Sequence, residues 1–231
     1  MPAVSITDHG RAGSLLDFYK TCKKNEIKPL LGLEAYVAPR SRTLKEPIDG
    51  LSTSYHLTLL AKDAAGLKNI FRLTSLGWLE GFYYRARVDI ELLKRYKEGL
   101  IVLSGCGSGY ISKMFLDHQD KEAYEHAKLL REIYKDDFYI EIQDHGIDWQ
   151  APLKEKLIHL SKQMSIPAVA TQDSHFIEHD EYLLHQKVCR LTASDLEFST
   201  TETYFKSYDE MLVRFGQTPE LLHRTAEVAE K

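Results

Sequence analysis

Short apolar, β-branched segments recur along the chain, each ending in polar residues and each followed by a longer stretch of helical periodicity. This alternation constrains the fold more than any other feature. It predicts repeated β-α units, an α/β class and a parallel sheet. The strand segments are Ala3 to Thr7, Leu30 to Val37, His56 to Ala61, Leu100 to Leu103, Phe138 to Ile142 and Pro167 to Ala170. Helices are expected over Ser14 to Asn25, Lys121 to Tyr134 and Gln150 to Met164, with a shorter one over Ala64 to Leu73. Ser14-Leu15-Leu16-Asp17 reads as a cap-like start, and Leu15, Leu16 and Tyr19 are spaced to give one apolar stripe.

Two stretches interrupt the alternation. Residues Pro39 to Thr53, rich in Ser, Pro, Gly and charge, read as an exposed loop. After Asp180 the strand signals stop. Asp180 to Leu191 reads as a helix, Ser207-x-x-Glu210 as a capping box, and Thr218-Pro219-Glu220 as a helix start with proline first. The chain therefore divides into residues 1–180 and a helical extension over 181–231. With 231 residues, 43% of them hydrophobic, it can bury a sizeable core.

No run approaches the ~20 apolar residues of a membrane span, so no membrane role is expected and a cytoplasmic location is. Three dispersed cysteines, Cys22, Cys106 and Cys189, fit neither a disulfide framework nor a paired-cysteine zinc motif. A net charge of −4 excludes the basic footprint of an autonomous nucleic-acid binder.

In parallel α/β folds the strand carboxyl ends gather the loops and helix N-termini, so chemistry is sought there. The first strand runs into Thr7-Asp8-His9-Gly10 and the second holds Glu34. The fourth ends at Ser104-Gly105-Cys106-Gly107, and the sixth at Gln172-Asp173-Ser174-His175. Imidazole, carboxylate and thiolate are the donors that zinc-like metals take. His56 opens another strand and can join them. Asp173-x-His175 puts both side chains on one face of an extended segment, aimed at one ion.

Plainer readings stand beside these. Asp-His-Gly is also an ordinary turn, and Cys106 between two glycines also a small residue in a tight bend. Glu34 is different, because a carboxylate amid apolar residues needs a partner. Asp144-His145-Gly146 repeats the Asp-His-Gly pattern and is a candidate for the site rim, a substrate contact or a turn. His118, His126, His159, His179, His185 and His223 fall in charged stretches and read as solvated. Phe82-Tyr83-Tyr84 with Arg85 and Arg87 can stack bases and hold phosphates. With no wider basic stripe, a packed surface loop is the better reading.

Several segments closely resemble the PHP domain of bacterial DNA polymerase III α subunits. They are Ala-Val-Ser-Ile-Thr-Asp-His-Gly, Pro-Leu-Leu-Gly-Leu-Glu-Ala-Tyr-Val-Ala-Pro, His-Leu-Thr-Leu-Leu-Ala-Lys, Leu-Glu-Gly-Phe-Tyr-Tyr and Leu-Ser-Gly-Cys. Tyr-Ile-Glu-Ile-Gln-Asp-His-Gly and Val-Ala-Thr-Gln-Asp-Ser-His-Phe follow in the same order. The resemblance implies a PHP-type distorted (β/α)7 TIM-like barrel holding up to three divalent ions (Zn, Mn or Mg) on nine ligands. It implies His9, Glu34, His56, Cys106, Asp173 and His175 as metal ligands, with Glu34 bridging two ions. Asp8 resembles a partner that orients His9.

The family's opening strand, with its His-x-His and a following Asp, is expected to precede Met1. On that expectation three of nine ligands and the first strand are missing, and the remainder forms a partial site of Glu34, His56 and Cys106 around one ion.

By resemblance the chemistry is metal-dependent phosphoester hydrolysis, as a 3′–5′ proofreading exonuclease on a DNA primer 3′ end, impaired here by the missing ligands. The implied partners are the remainder of the DNA polymerase III α subunit and a proofreading exonuclease subunit. Nucleotidyl transfer belongs to a palm domain with no motif in this sequence, and the helical tail resembles the stretch leading toward that palm. The competing reading is a non-catalytic module that stabilises the polymerase or docks the separate exonuclease. A free-standing small-molecule phosphatase is the third reading, and the Leu-Glu-Gly-Phe-Tyr-Tyr segment and tail argue against it.

Overall fold

A computed structural model describes residues 1–191 and 200–231. The strands are β1 (Ala3–Ile6), β2 (Lys28–Val37), β3 (Tyr55–Ala61), β4 (Arg87–Val88), β5 (Leu100–Leu103), β6 (Phe138–Ile142) and β7 (Ala168–Ala170). The helices are α1 (Leu15–Lys24), α2 (Ala64–Leu79), α3 (Ile90–Arg95), α4 (Tyr110–Leu116), α5 (Asp120–Tyr134), α6 (Gln150–Met164), α7 (Tyr182–Leu191), α8 (Tyr208–Phe215) and α9 (Glu220–Glu230). The predicted strands all form, and the two-residue β4 joins them beside β2. Residues 192–199 of the predicted helical extension lie outside the described residues.

The strands make one curled sheet in the order β1-β2-β3-β5-β6-β7, as expected for a distorted barrel of the α/β class. It is not wholly parallel. β1 with β2, β5 with β6 and β6 with β7 run parallel, whereas β3 is antiparallel to both β2 and β5. The physical reason lies in the loop after β2. A parallel pair needs a crossover helix, and residues 38–54 supply none, so the chain folds straight back on itself.

Side-chain alternation sorts the two faces of the sheet. On β6, Phe138, Ile140 and Ile142 join the helix-side core, while Tyr139 packs in the concave interior with Leu60, Ile101, Leu103 and Val169. Val228 of α9 enters that interior cluster, and Met211, Phe215, Leu221 and Leu222 of α8 and α9 belong to the helix-side core. The last helices are thus packed into the barrel. The Ser207–Glu210 capping box forms as predicted.

Several local expectations need correction. Ser14 makes no side-chain cap on α1; its hydroxyl donates to the Asp8 carboxylate. The buried face of α1 carries Leu15 and Cys22, whereas Leu16 and Tyr19 are exposed. Residues i and i+1 on a helix point about 100° apart, so Leu15 and Leu16 cannot share one narrow stripe.

The 39–53 loop lacks regular structure but is pinned. Buried Arg42 bonds Glu80 at 2.7 Å, both Asp89 oxygens at 3.1 and 3.2 Å and Glu91 at 3.2 Å. Arg87, 2% exposed, gives its guanidinium to the carbonyls of Gly81, Thr53, Arg42 and Leu44, at 2.9 to 3.2 Å. It is therefore a structural clamp, with four of its five N–H groups spent on backbone carbonyls.

His126 is not solvated either. It stacks on Tyr110 at 4.2 Å, and burial pushes its pKa down to about 4.

The α1 correction is directly testable by urea denaturation. Leu15→Ala removes a 2%-exposed core side chain and should destabilise the chain by about 2–5 kcal/mol. Leu16→Ala, at a 62%-exposed position, should stay within about 0.5 kcal/mol of wild type.

Candidate metal centre

Strand register brings the first donors together. Glu34 and Tyr36 point inward from β2, opposite Thr58 and His56 of β3, and a parallel bridge sets His9 beside Glu34. Glu34, only 8% exposed, divides its two oxygens between two imidazoles. Its Oε1 lies 2.6 Å from His56 Nδ1, and its Oε2 lies 3.4 Å from His9 Nδ1. The donor atoms of His9, Glu34 and His56 all fall within 4.8 Å of one another.

Cys106 arrives from the turn after β5. Gly105 has φ +87°, and a Cβ there would meet the His56 carbonyl oxygen at 2.5 Å, so only glycine lets this turn lie against β3. Cys106 Sγ then sits 3.4 Å from His56 Nδ1 and 3.8 Å from Glu34 Oε1. Donors bonded to one tetrahedral zinc at about 2.0–2.3 Å are spaced by about 3.3–3.8 Å, so these separations suit a shared ion.

Asp173 and His175 reach the same mouth from the loop after β7. The His9 and His175 ring centroids are 6.4 Å apart. The loop is not the extended segment expected from sequence: Asp173 has φ +51°, and His175 Nδ1 bonds the Asp173 carbonyl at 2.7 Å. Residues after the undescribed stretch hold this loop. His175 N donates to Thr203 O at 2.8 Å, and Gln172 exchanges two hydrogen bonds with the Lys206 backbone at 2.7 and 3.0 Å.

The electrostatics call for a cation. Burial raises the Cys106 thiol well above its ordinary value, and Glu34 and Asp173 add to the effect. Burial and Glu34 likewise raise Asp173. Burial works against the Glu34 charge too, but the His56 hydrogen bond and the nearby imidazoles hold its carboxyl below the usual range. Burial lowers His9 despite Glu34, so at neutral pH its ring is uncharged and keeps a lone pair. His9 Nδ1 is buried with no hydrogen-bond partner among the described residues, since its approach to Glu34 lacks the alignment of one. An orphaned imidazole nitrogen beside a thiol and crowded carboxylates is the donor chemistry of a divalent metal site.

The other proposed residues sit further back. Asp8, expected to orient His9, is engaged by Ser14 Oγ instead. Asp144 closes its turn onto Gly146 N at 3.1 Å and pairs with Lys154 at 3.0 Å. His145 is buried, with Nε2–H donating to Gln172 O at 2.6 Å while Nδ1 accepts from Gln150 Nε2 at 2.9 Å. Both its nitrogens are used to brace the loop that carries Asp173.

Sequence reasoning passed over three residues of the site. Tyr36 stacks on His9 at 5.6 Å and meets His56 edge-on at 5.2 Å, and its position two residues after Glu34 was the available signal. Trp78 Nε1 bonds Gly10 O at 3.0 Å, a contact over 68 residues that no local pattern announces. Glu141 is a lone carboxylate in the apolar strand Phe-Tyr-Ile-Glu-Ile, the same signal that marked Glu34. Burial lifts its pKa to about 7.

The PHP domain profile matches residues 1–145. The chain is 39% identical over 238 residues to a protein named DNA polymerase III subunit alpha from Borreliella burgdorferi, a match covering 100% of the chain and 21% of that relative. The same-named protein of Treponema pallidum is 37% identical, with 99% and 20% covered, and that of Chlamydia muridarum 35% identical, with 100% and 22% covered. The chain thus spans about a fifth of the length of these curated relatives. No helix of the described residues is long and apolar enough to cross a membrane.

If the cluster holds a divalent ion, zinc or manganese should stabilise the chain by RT ln(1 + [L]/Kd), about 2.7 kcal/mol at a hundredfold excess over Kd. Differential scanning calorimetry should show that rise in wild type and its loss in His9→Ala and Glu34→Gln.

Proposed function

The chain belongs to the PHP domain family, and from that premise we propose that it is the PHP region of a bacterial DNA polymerase III α subunit, with a metal-dependent phosphoesterase site. The observation that carries this reading is the convergence of His9, Glu34 and His56 within 4.8 Å, with Cys106 Sγ 3.4 Å from His56 and the buried His9 nitrogen without a partner among the described residues. In this reading those four residues hold the ion, zinc, manganese or magnesium, and Asp173 and His175 complete the set. A divalent ion bound there supplies a water of lowered pKa and positive charge against phosphoryl oxygens.

The protein's own residues set the rest. Glu34 fixes His56 through Oε1 and sets Oε2 3.4 Å from the His9 Nδ1 atom. The neutral His9 ring, stacked on Tyr36, is kept from turning away. At the rim, exposed Arg85 lies 5.8 Å above the Tyr36 ring and exposed Arg11 lies 5.6 Å above Trp78. Two guanidinium groups on the His9 side suit a substrate carrying phosphate charge. The substrate proposed is a DNA 3′ end, which makes the activity a 3′–5′ proofreading exonuclease.

Residues 181–231 are proposed as a helical extension of a PHP domain over 1–180, leading toward the remainder of the α subunit, its first partner. A separate exonuclease subunit is the second partner under the non-catalytic reading.

The test is release of terminal nucleotides from a 3′-labelled single-stranded oligodeoxynucleotide by the chain loaded with manganese or zinc. Hydrolysis is expected to need the metal and to fall more than about 100-fold in Glu34→Gln and His56→Ala. Activity that survives both changes belongs to another site. Metal-loaded protein without any hydrolysis favours the non-catalytic, docking reading.

A further inference from the structure

Strand alternation puts Glu141 on the concave face of β6, directly above the apolar interior formed by Tyr139 and Val169. It is 5% exposed, and four donors converge on it. Thr58 Oγ1 and Gly105 N–H donate to Oε2 at 2.8 and 3.0 Å, and Thr171 Oγ1 and Gln143 Nε2 donate to Oε1 at 2.7 and 3.3 Å. The Glu141 amide in turn donates to Ser104 Oγ at 2.9 Å, stitching the end of β5 to β6.

Three of these donors stand next to a donor of the proposed metal centre. Thr58 lies two residues beyond His56 on the same face of β3, Gly105 immediately precedes Cys106, and Thr171 precedes Asp173 by two. The carboxylate therefore ties together the ends of β3, β5 and β7, the strands that deliver His56, Cys106 and Asp173. Filling space does not require this arrangement. An apolar residue of similar volume packs there without the desolvation cost of a carboxylate, and among the described residues no cationic side chain is bonded to Glu141 to offset that cost.

We propose that Glu141 is a positioning residue of the metal centre, its two oxygens fixing the strand ends so that His56, Cys106 and Asp173 face a common ion. This rests on the reading of that cluster as a metal centre. The two oxygens divide the work. Oε2 holds the His56–Cys106 side through Thr58 and the Gly105 amide, and Oε1 holds the Asp173 side through Thr171.

The division predicts how variants differ. The amide nitrogen of Glu141→Gln cannot face the Gly105 N–H, which has no alternative role. It takes the Thr171 side, where a hydroxyl can rotate to accept. Glu141→Gln thus keeps Cys106 in place and loosens the Asp173 side, where a neutral bond replaces the charge-assisted one to Thr171 and the new amide faces the Gln143 Nε2 donor, whereas Glu141→Ala loosens both.

The experiment is a cobalt(II) titration of the full chain. Its readouts are affinity, by competition with a chelator, and the sulfur-to-cobalt charge-transfer absorption that reports the Cys106 thiolate. Wild type should bind with the band present. Glu141→Gln should bind about tenfold more weakly and keep the band, and Glu141→Ala should lose the band and bind about 10–100-fold more weakly.

Thr171→Val should weaken binding and Thr171→Ser restore it, a pair that decides the question if Glu141→Ala does not fold. Wild-type affinity and band in folded Glu141→Ala, or unchanged affinity in Thr171→Val, would overturn the positioning role alone. A wild-type chain with no affinity for cobalt removes the metal-centre reading itself, and this role with it.

Discussion

The placement of the buried Glu34 carboxylate between two imidazoles, bonded to His56 and 3.4 Å from His9, is the constraint on which the rest of the site depends. β2 is the hub of the sheet, pairing with β1, β3 and β4, so a side chain pointing inward from its middle is held by strands on both sides. Burying a carboxylate there is costly in isolation. Here the charge is held by the His56 hydrogen bond and by the rings of His9 and His175, and it stays below its usual pKa range despite burial. The same charge raises Cys106 and Asp173, so each additional donor increases the demand for a cation.

Much of this was legible in the sequence because each strand carries its own local signal. β5 and β6 fall on the residues that apolar, β-branched runs predict, and α6 spans Gln150–Met164 as its periodicity indicates. The candidate donors were found by one rule, that chemistry sits at strand ends. The same rule, however, cannot tell whether an Asp-His-Gly turn faces inward. His9 opens onto the centre, whereas Asp144 and His145 are spent on Lys154, Gln150 and the Gln172 carbonyl.

What was not legible depends on tertiary partners. The antiparallel placement of β3 follows from a connection without a helix, and the order in the 39–53 loop follows from Arg42 meeting carboxylates 38 to 49 positions away. His126 reads as solvated among charged neighbours and is instead stacked on Tyr110. Glu141 is a different kind of omission, since the argument that singled out Glu34 applies to it unchanged. The segment after residue 200 reads as a connector, yet Thr203 and Lys206 hold the loop bearing Asp173 and His175. Membership of the PHP family accounts for the scaffold, and the donor chemistry of these strand ends is what the proposed function adds to it.

The central claim is that the strand ends build one metal centre that includes the Cys106 sulfur. X-ray absorption on the zinc-loaded chain tests it most directly. The account predicts one sulfur scatterer at about 2.3 Å beside nitrogen and oxygen at about 2.0–2.2 Å, with the sulfur absent in Cys106→Ser. A shell of light atoms alone, identical in wild type and Cys106→Ser, would contradict it.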